Sequence, residues 1–113
     1  MRHAERWTEL FKALSEPLRL RLLNLLRAGG ELCVCDLVSI LETTQSMVSR
    51  HLAYLRHCGW VSNRREGLWI HYRLESESDP MRAAILEVLA RHAEEDPEMK
   101  SDLEKLRNRT GRC

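Results

Sequence analysis

Apolar residues recur at helical spacing through most of the chain. Trp7, Leu10, Phe11 and Leu14 fall on one stripe of a first helix. Ser15-Glu16-Pro17 then reads as a capping sequence with proline in the first turn of a second helix. Leu18, Leu22, Leu25 and Leu26 continue that helix, and Leu20 and Leu23 widen its apolar face, so it should be central and largely buried. Gly29-Gly30 ends it. Val34, Leu37, Val38 and Leu41 mark a third helix over Cys33 to Leu41. After the turn Thr43-Thr44-Gln45, Ser46 is the expected N-cap of a fourth helix. Val48, Leu52 and Leu55 face inward along it, and Gly59 closes it.

The periodicity then changes. Leu68, Ile70, Tyr72 and Leu74 alternate with Trp69, His71 and Arg73, and a partner run spans Trp60 to Arg65. The two runs flank Glu66-Gly67, the expected two-residue turn of a β-hairpin. Asp79-Pro80 starts a further helix bearing Ile85, Leu86, Val88 and Leu89. Glu94-Glu95-Asp96-Pro97 breaks it, and Met99, Leu103 and Leu106 mark a last, weaker helix before an arginine-rich end. The expected fold is mostly α with a β-hairpin: a winged helix-turn-helix with extra helices at both ends. The terminal helices carry apolar faces that a small core cannot cover, so pairing across a two-fold axis makes the expected protein a homodimer. Residues 1–95 form the expected DNA-binding and dimerisation domain, and 96–113 a helical or flexible C-terminal tail.

Charge is unevenly distributed. The chain of 113 residues has a net charge of only +1. Residues 45–74 nevertheless hold five arginines against a single glutamate, while residues 75–113 are net acidic. A polyanion would dock on the middle segment, because counterion release needs only a local patch. Gln45, Ser46, Ser49, Arg50 and His51 on the fourth helix are the candidates for reading bases or touching phosphate. Arg64 and Arg65 on the hairpin would meet phosphate or the minor groove. No apolar run approaches a membrane span and no signal peptide opens the chain, so a cytoplasmic protein without a membrane partner is expected.

Four cysteines (Cys33, Cys35, Cys58, Cys113) remain. In a reducing compartment they favour thiolate chemistry over disulfides. Cys33 and Cys35 sit just ahead of the arginine-bearing helix, and soft thiolates select soft ions. They also suit a plainer role as small buried hydrophobes. Residues two apart on an α-helix point about 200° from each other. Both sulfurs would therefore reach one ion only by distorting the start of the third helix. Cys113, at the chain end, and Cys58, at the end of the fourth helix, are candidates for a third ligand.

The strings Glu31-Leu32-Cys33-Val34-Cys35-Asp36-Leu37, Ser46-x-x-Ser49-Arg50-His51-Leu52 and Gly67-x-x-x-His71-Tyr72-Arg73-Leu74 closely resemble the ArsR/SmtB metalloregulators. The resemblance covers about residues 7–75. It implies a homodimeric repressor that binds double-stranded operator DNA and leaves it when trivalent arsenic or antimony binds Cys33 and Cys35. No permanent cofactor is implied. Arsenite-type members commonly have a third cysteine where this chain has Val38. Cadmium-type members draw further cysteines from an N-terminal extension, and this N-terminus has none. Zinc-type members place a site on the last long helix; Asp79, His92 and Glu95 match its spacing, but Met81 replaces a histidine. Cadmium, lead or zinc sensing, and thiol oxidation, are the alternative triggers. The rival enzymatic reading is a small thiol-dependent arsenate reductase. No glycine-rich loop, carboxylate pair or nucleophile elbow supports it.

Overall fold

The computed structural model describes residues 2–75 and 79–109. Helix α1 (Arg2–Lys12) leads into α2 (Pro17–Gly29), the short strand β1 (Leu32–Cys33), α3 (Val34–Leu41) and α4 (Gln45–His57). Strands β2 (Val61–Glu66) and β3 (Trp69–Leu74) follow, then α5 (Pro80–His92), a single 3₁₀ turn at Ala93–Glu95, and α6 (Pro97–Arg107). The expected winged helix-turn-helix is present: α3 and α4 are the paired helices, and β2–β3 is the wing.

The core gathers around α2. Leu22, Leu23, Leu25 and Leu26 are essentially inaccessible, and so are Leu37, Val48, Leu52 and Leu55 from α3 and α4. Trp60, also fully buried, donates its indole N–H to the Leu10 carbonyl at 3.0 Å and ties α1 to the corner between α4 and β2. Helix α2 starts where expected. Its cap is the Glu16 carboxylate, which accepts from the Leu18 and Arg19 amides at 2.6 and 3.1 Å. Gly30, with φ of 78°, ends it in a conformation that side-chain-bearing residues rarely adopt.

Several details differ from the sequence reading. The N-cap of α4 is Thr44, whose hydroxyl accepts from the Met47 amide at 3.1 Å; Ser46 lies inside the helix. The hairpin turn is Gly67-Leu68, because Glu66 pairs with Trp69, so the turn lies one residue later than expected. Gly67 supplies the positive φ that this tight turn needs. The sheet has three strands. β1 pairs antiparallel with β3, setting Leu32 opposite Tyr72 and Cys33 opposite His71, in the order β1-β3-β2.

Helix α6 packs on α2 and α3, and Leu106 joins the main core. Leu32 and Leu106 meet over Gly29, where an added Cβ would stand 3.1 and 3.3 Å from them. Polar ties reinforce the contact. Arg21 donates from Nε and Nη2 to the two oxygens of Asp102, both at 2.9 Å, and Asp102 is only 1% exposed. This double hydrogen bond holds the Arg21 guanidinium above its usual pKa. Lys105 reaches Glu42 at 2.6 Å, and Arg109 reaches Asp36 at 3.8 Å.

Candidate thiol sensor and nucleic-acid interface

Cys33 is not on α3. It closes β1 with extended backbone (φ −72°, ψ 145°) and acts as the N-cap of α3, its sulfur accepting from the Cys35 amide at 3.4 Å. Cys35 is on the first turn of the helix and, against the expectation of thiols over disulfides, is disulfide-bonded in this structure. The strand-to-helix corner therefore turns both side chains the same way, and the sulfurs lie 2.9 Å apart. The opposed geometry expected of two cysteines on one helix does not arise, and no helix has to unwind to bring the pair together. Sharing one ion needs only a small opening: with bonds of about 2.3 Å and a tetrahedral angle, sulfurs stand about 3.8 Å apart.

The pair opens into a cavity of about 330 Å³. One wall is Val38 with the recognition-helix residues Gln45 and Ser49. The other is the wing segment Leu68, Trp69 and Ile70. The cysteine pair, α4 and the wing thus border a single space. A second link is covalent and hydrogen-bonded: β1 carries Cys33 and is itself zipped to wing strand β3.

Gln45, Ser46 and Arg50 are exposed on α4, and Ser49 is half-buried beside them. Arg50 rests its guanidinium on the Met47 sulfur at 3.1 Å. Arg64 and Arg65 are exposed on β2. Arg64 grips Glu31 through Nε and Nη2 at 2.7–3.0 Å, and this grip holds the Glu31 carboxyl below its ordinary pKa.

His51 does not belong with these residues. It is 8% exposed, and its Nδ1 faces the Arg19 Nη1 donor of α2 at 3.3 Å. The same Arg19 donates to the Ala13 carbonyl at 2.8 Å and stacks 4.3 Å from the Tyr54 ring centre. Burial pushes the His51 pKa down, which favours the neutral ring that can accept from Arg19. His51 therefore packs α4 against α2 through Arg19. Periodicity alone contained this signal, since His51 lies between the core positions Val48 and Leu52.

The remaining cysteines differ in place. Cys58 caps the far end of α4, in a separate cleft with Arg6 and Asp79. The 13 residues of α4 put it about 20 Å from the Gln45 end. Burial raises its thiol pKa, which disfavours the metal-binding thiolate. In one chain it cannot complete the Cys33–Cys35 site. Cys113 lies outside the described residues.

The zinc-type spacing does not assemble within the chain. Asp79 is the N-cap of α5 and pairs with Arg6 at 3.3 Å, whereas His92 at the other end of that helix contacts Glu95 at 3.1 Å. No cluster of three or more potential metal ligands occurs among the described residues. No described helix is long and apolar enough to cross a membrane.

Residues 16–63 match the family described as bacterial regulatory protein, arsR family. Over 79 residues the chain is 44% identical to the arsenical resistance operon repressor of Escherichia coli, covering 70% of this chain and 68% of that protein. The chain belongs to the ArsR family. Another relative is the arsenic resistance transcriptional regulator ArsR1 of Pseudomonas putida, 47% identical over 60% of this chain and 53% of its own length. Among solved structures, HlyU from Vibrio cholerae superposes with a TM-score of 0.69 at 37% identity, covering 79% of this chain and 92% of that one. The antimony-specific transcriptional repressor AntR gives 0.66 at 35% identity, covering 82% and 84%. These relatives are transcriptional regulators, and this ArsR-family chain is a DNA-binding transcriptional repressor with a winged helix, not an enzyme.

Proposed function

We propose that this ArsR-family repressor works as a homodimer and leaves its operator when trivalent arsenic or antimony bonds to Cys33 and Cys35. Arsenite, antimonite and methylarsenite are the inducers this reading proposes. The observation that carries the reading is the 2.9 Å approach of the two sulfurs inside a cavity walled by Gln45, Ser49 and the wing. The names of the relatives point the same way, two being arsenic or arsenical regulators and one antimony-specific.

Cys35 is disulfide-bonded in this structure, so a cellular thiol must first reduce that bond; on the reduced protein the chemistry is ligand exchange without further redox change. Each thiol that bonds to arsenic gives up its proton, and that proton leaves with one arsenic hydroxide as water. Opening the sulfurs to hold the ion moves β1 against α3. β1 is zipped to the wing and α3 is paired with α4, so the spacing between the two DNA-contacting elements changes. A small shift suffices, because packed elements move as units.

Arsenite has a third exchangeable position, and Val38 leaves no cysteine on α3 to fill it. Cys113 is the donor we assign. Arg109 is held at Asp36, next to Cys35, and Cys113 is only four positions further along the chain. Four residues span at most about 14 Å. The tether therefore allows Cys113 to reach the pair from its own chain.

The experiment is an operator-binding titration, using DNA from upstream of the gene, with arsenite, antimonite, methylarsenite, cadmium, lead and peroxide in parallel. Release by the trivalent metalloids at the lowest concentrations supports the proposal. Release by cadmium, lead or peroxide alone refutes it. Cys113→Ser should weaken the arsenite response and spare the methylarsenite response.

A further inference from the structure

Among the described residues, Leu68 is the large apolar side chain that the fold leaves almost bare. It is 91% exposed, and no other exceeds 53%. A single exposed leucine is ordinary on a protein surface. What distinguishes this one is its place at the wing tip. Glu66 pairs with Trp69, and Gly67 takes the positive φ of 62° in the turn, so Leu68 fills the second turn position with ordinary backbone. A polar residue would serve there equally well. The surroundings are cationic. Arg64 and Arg65 are exposed on β2 just before the turn, and Arg73 is exposed on β3. Glu66, the single carboxylate of the wing strands, lies 3.6 Å from Arg64, which offsets its charge. The tip also continues the side of the molecule formed by α4, because Leu68 borders the same cavity as Gln45 and Ser49. In a helix-turn-helix the second helix lies in the major groove, so a hairpin beside it meets the backbone and the neighbouring minor groove.

We propose that Leu68 is an apolar wedge, which the wing sets into the operator's minor groove to open one base step and bend the DNA. The inference rests on the wing lying against DNA. The arginines hold the tip on the phosphates. The leucine side chain has no donor or acceptor for phosphate or base edges, so it distinguishes sequences by how readily a step opens. Insertion exchanges the water around Leu68 for the apolar faces of partly unstacked bases. Pyrimidine–purine steps unstack most easily, so the wing selects a TA or CA step at a fixed distance from the bases that α4 touches.

The test uses the full chain on its operator, located by footprinting in DNA from upstream of the gene. Permanganate oxidises unstacked thymines, and every TA or CA·TG step holds one. The parent complex should show a reactive thymine at such a step beside the α4 contact, and Leu68→Ser should lower that reactivity at least about fivefold. The DNA bend, read by energy transfer between labelled ends, should fall with it. Affinity should drop about three- to tenfold with an unchanged salt slope, since no charge is lost. Leu68→Met, which keeps an apolar side chain of similar volume, should retain reactivity and affinity. Replacing the reactive step by a purine–purine step should weaken the parent and leave Leu68→Ser nearly unaffected. A parent complex without a reactive thymine, or reactivity and affinity unmoved in Leu68→Ser, overturns the inference. So does weaker self-association of Leu68→Ser with unchanged DNA distortion, which would set the tip against a second copy of the chain. Replacing Arg64 and Arg65 together by alanine separates the levels. A flattened salt slope beside an unmoved Leu68→Ser removes the wedge alone; an unchanged slope takes the wing off the DNA, and the reading beneath falls too.

Discussion

Arg64, on the wing, holds Glu31, two residues before Cys33, through a forked hydrogen bond at 2.7–3.0 Å. A wing cation is thus tied to the segment leading into the strand that carries Cys33. Both side chains are exposed, so the pair adds little to stability. Its consequence is electrostatic. Glu31→Gln removes one negative charge beside the wing and frees Arg64. Operator affinity should rise about three- to tenfold at low salt, and the salt slope should steepen by about one. Replacing Arg64 and Arg65 together by alanine should weaken specific and non-specific binding alike and flatten the slope. Fluorescence anisotropy across a salt series reads both; an unchanged slope in the double variant would remove the wing from the DNA contact.

The apolar stripe of α1 and the outer face of α5 remain open in a single chain. Phe11 is 49% exposed and Val88 53%. Val88→Glu removes little packing within the chain, so its thermal midpoint as a monomer should stay close to that expected for the fold. Sedimentation should show monomer where the parent is a dimer, and binding to a two-fold symmetric operator should drop at least tenfold. A variant that stays dimeric would move the dimer contact elsewhere.

Asp102 is the polar anchor of α6. It is 1% exposed and accepts from Nε and Nη2 of Arg21, whose side chain is itself only 16% exposed. Removing one partner of such a pair strands the other charge. Asp102→Ala should cost about 3 kcal/mol in chemical denaturation, while Glu98→Ala, on the exposed end of the same cluster, should cost less than about 1 kcal/mol. Equal costs would show that α6 is not held by Asp102.

His51 gives the fold a pH dependence. Its pKa in the fold is lowered from 6.5 by burial, so the unfolded chain binds the proton first. The stability from the neutral ring is therefore full above pH 6.5 and is lost as pH falls below it through the lowered folded value. His51→Asn keeps an acceptor for Arg19 without titrating. Subtracting its denaturation profile from that of the parent between pH 7.5 and 5 should leave a difference that grows as pH falls. A flat difference would mean that the Arg19–His51 contact tolerates protonation.

Much of this architecture was legible in the residue pattern. The leucine spacing of α2 and the alternation of β3 reflect a buried helix and a half-buried strand, and such periodicities come from burial itself. The boundaries were less legible. Thr44 and Ser46 are equally good caps by chemistry, and only the backbone path chooses Thr44. The strand β1 was invisible, because a two-residue ladder has no period to read. That omission hid the main feature of the cysteine pair: Cys33 belongs to a strand and Cys35 to a helix, so the corner between them, absent from any helical wheel, brings the sulfurs together. The burial of His51 could be read from its place between Val48 and Leu52, but its partner Arg19, 32 residues away, could not.

The central claim is that Cys33 and Cys35 sense the inducer without holding the DNA. The direct measurement is arsenite titration of the preformed operator complex, for the parent chain and for Cys33→Ser combined with Cys35→Ser. The double variant should bind the operator within about twofold of the parent and remain bound at arsenite concentrations at least a hundredfold above those that release the parent. Release of the double variant at the parent's arsenite concentration would contradict the claim outright.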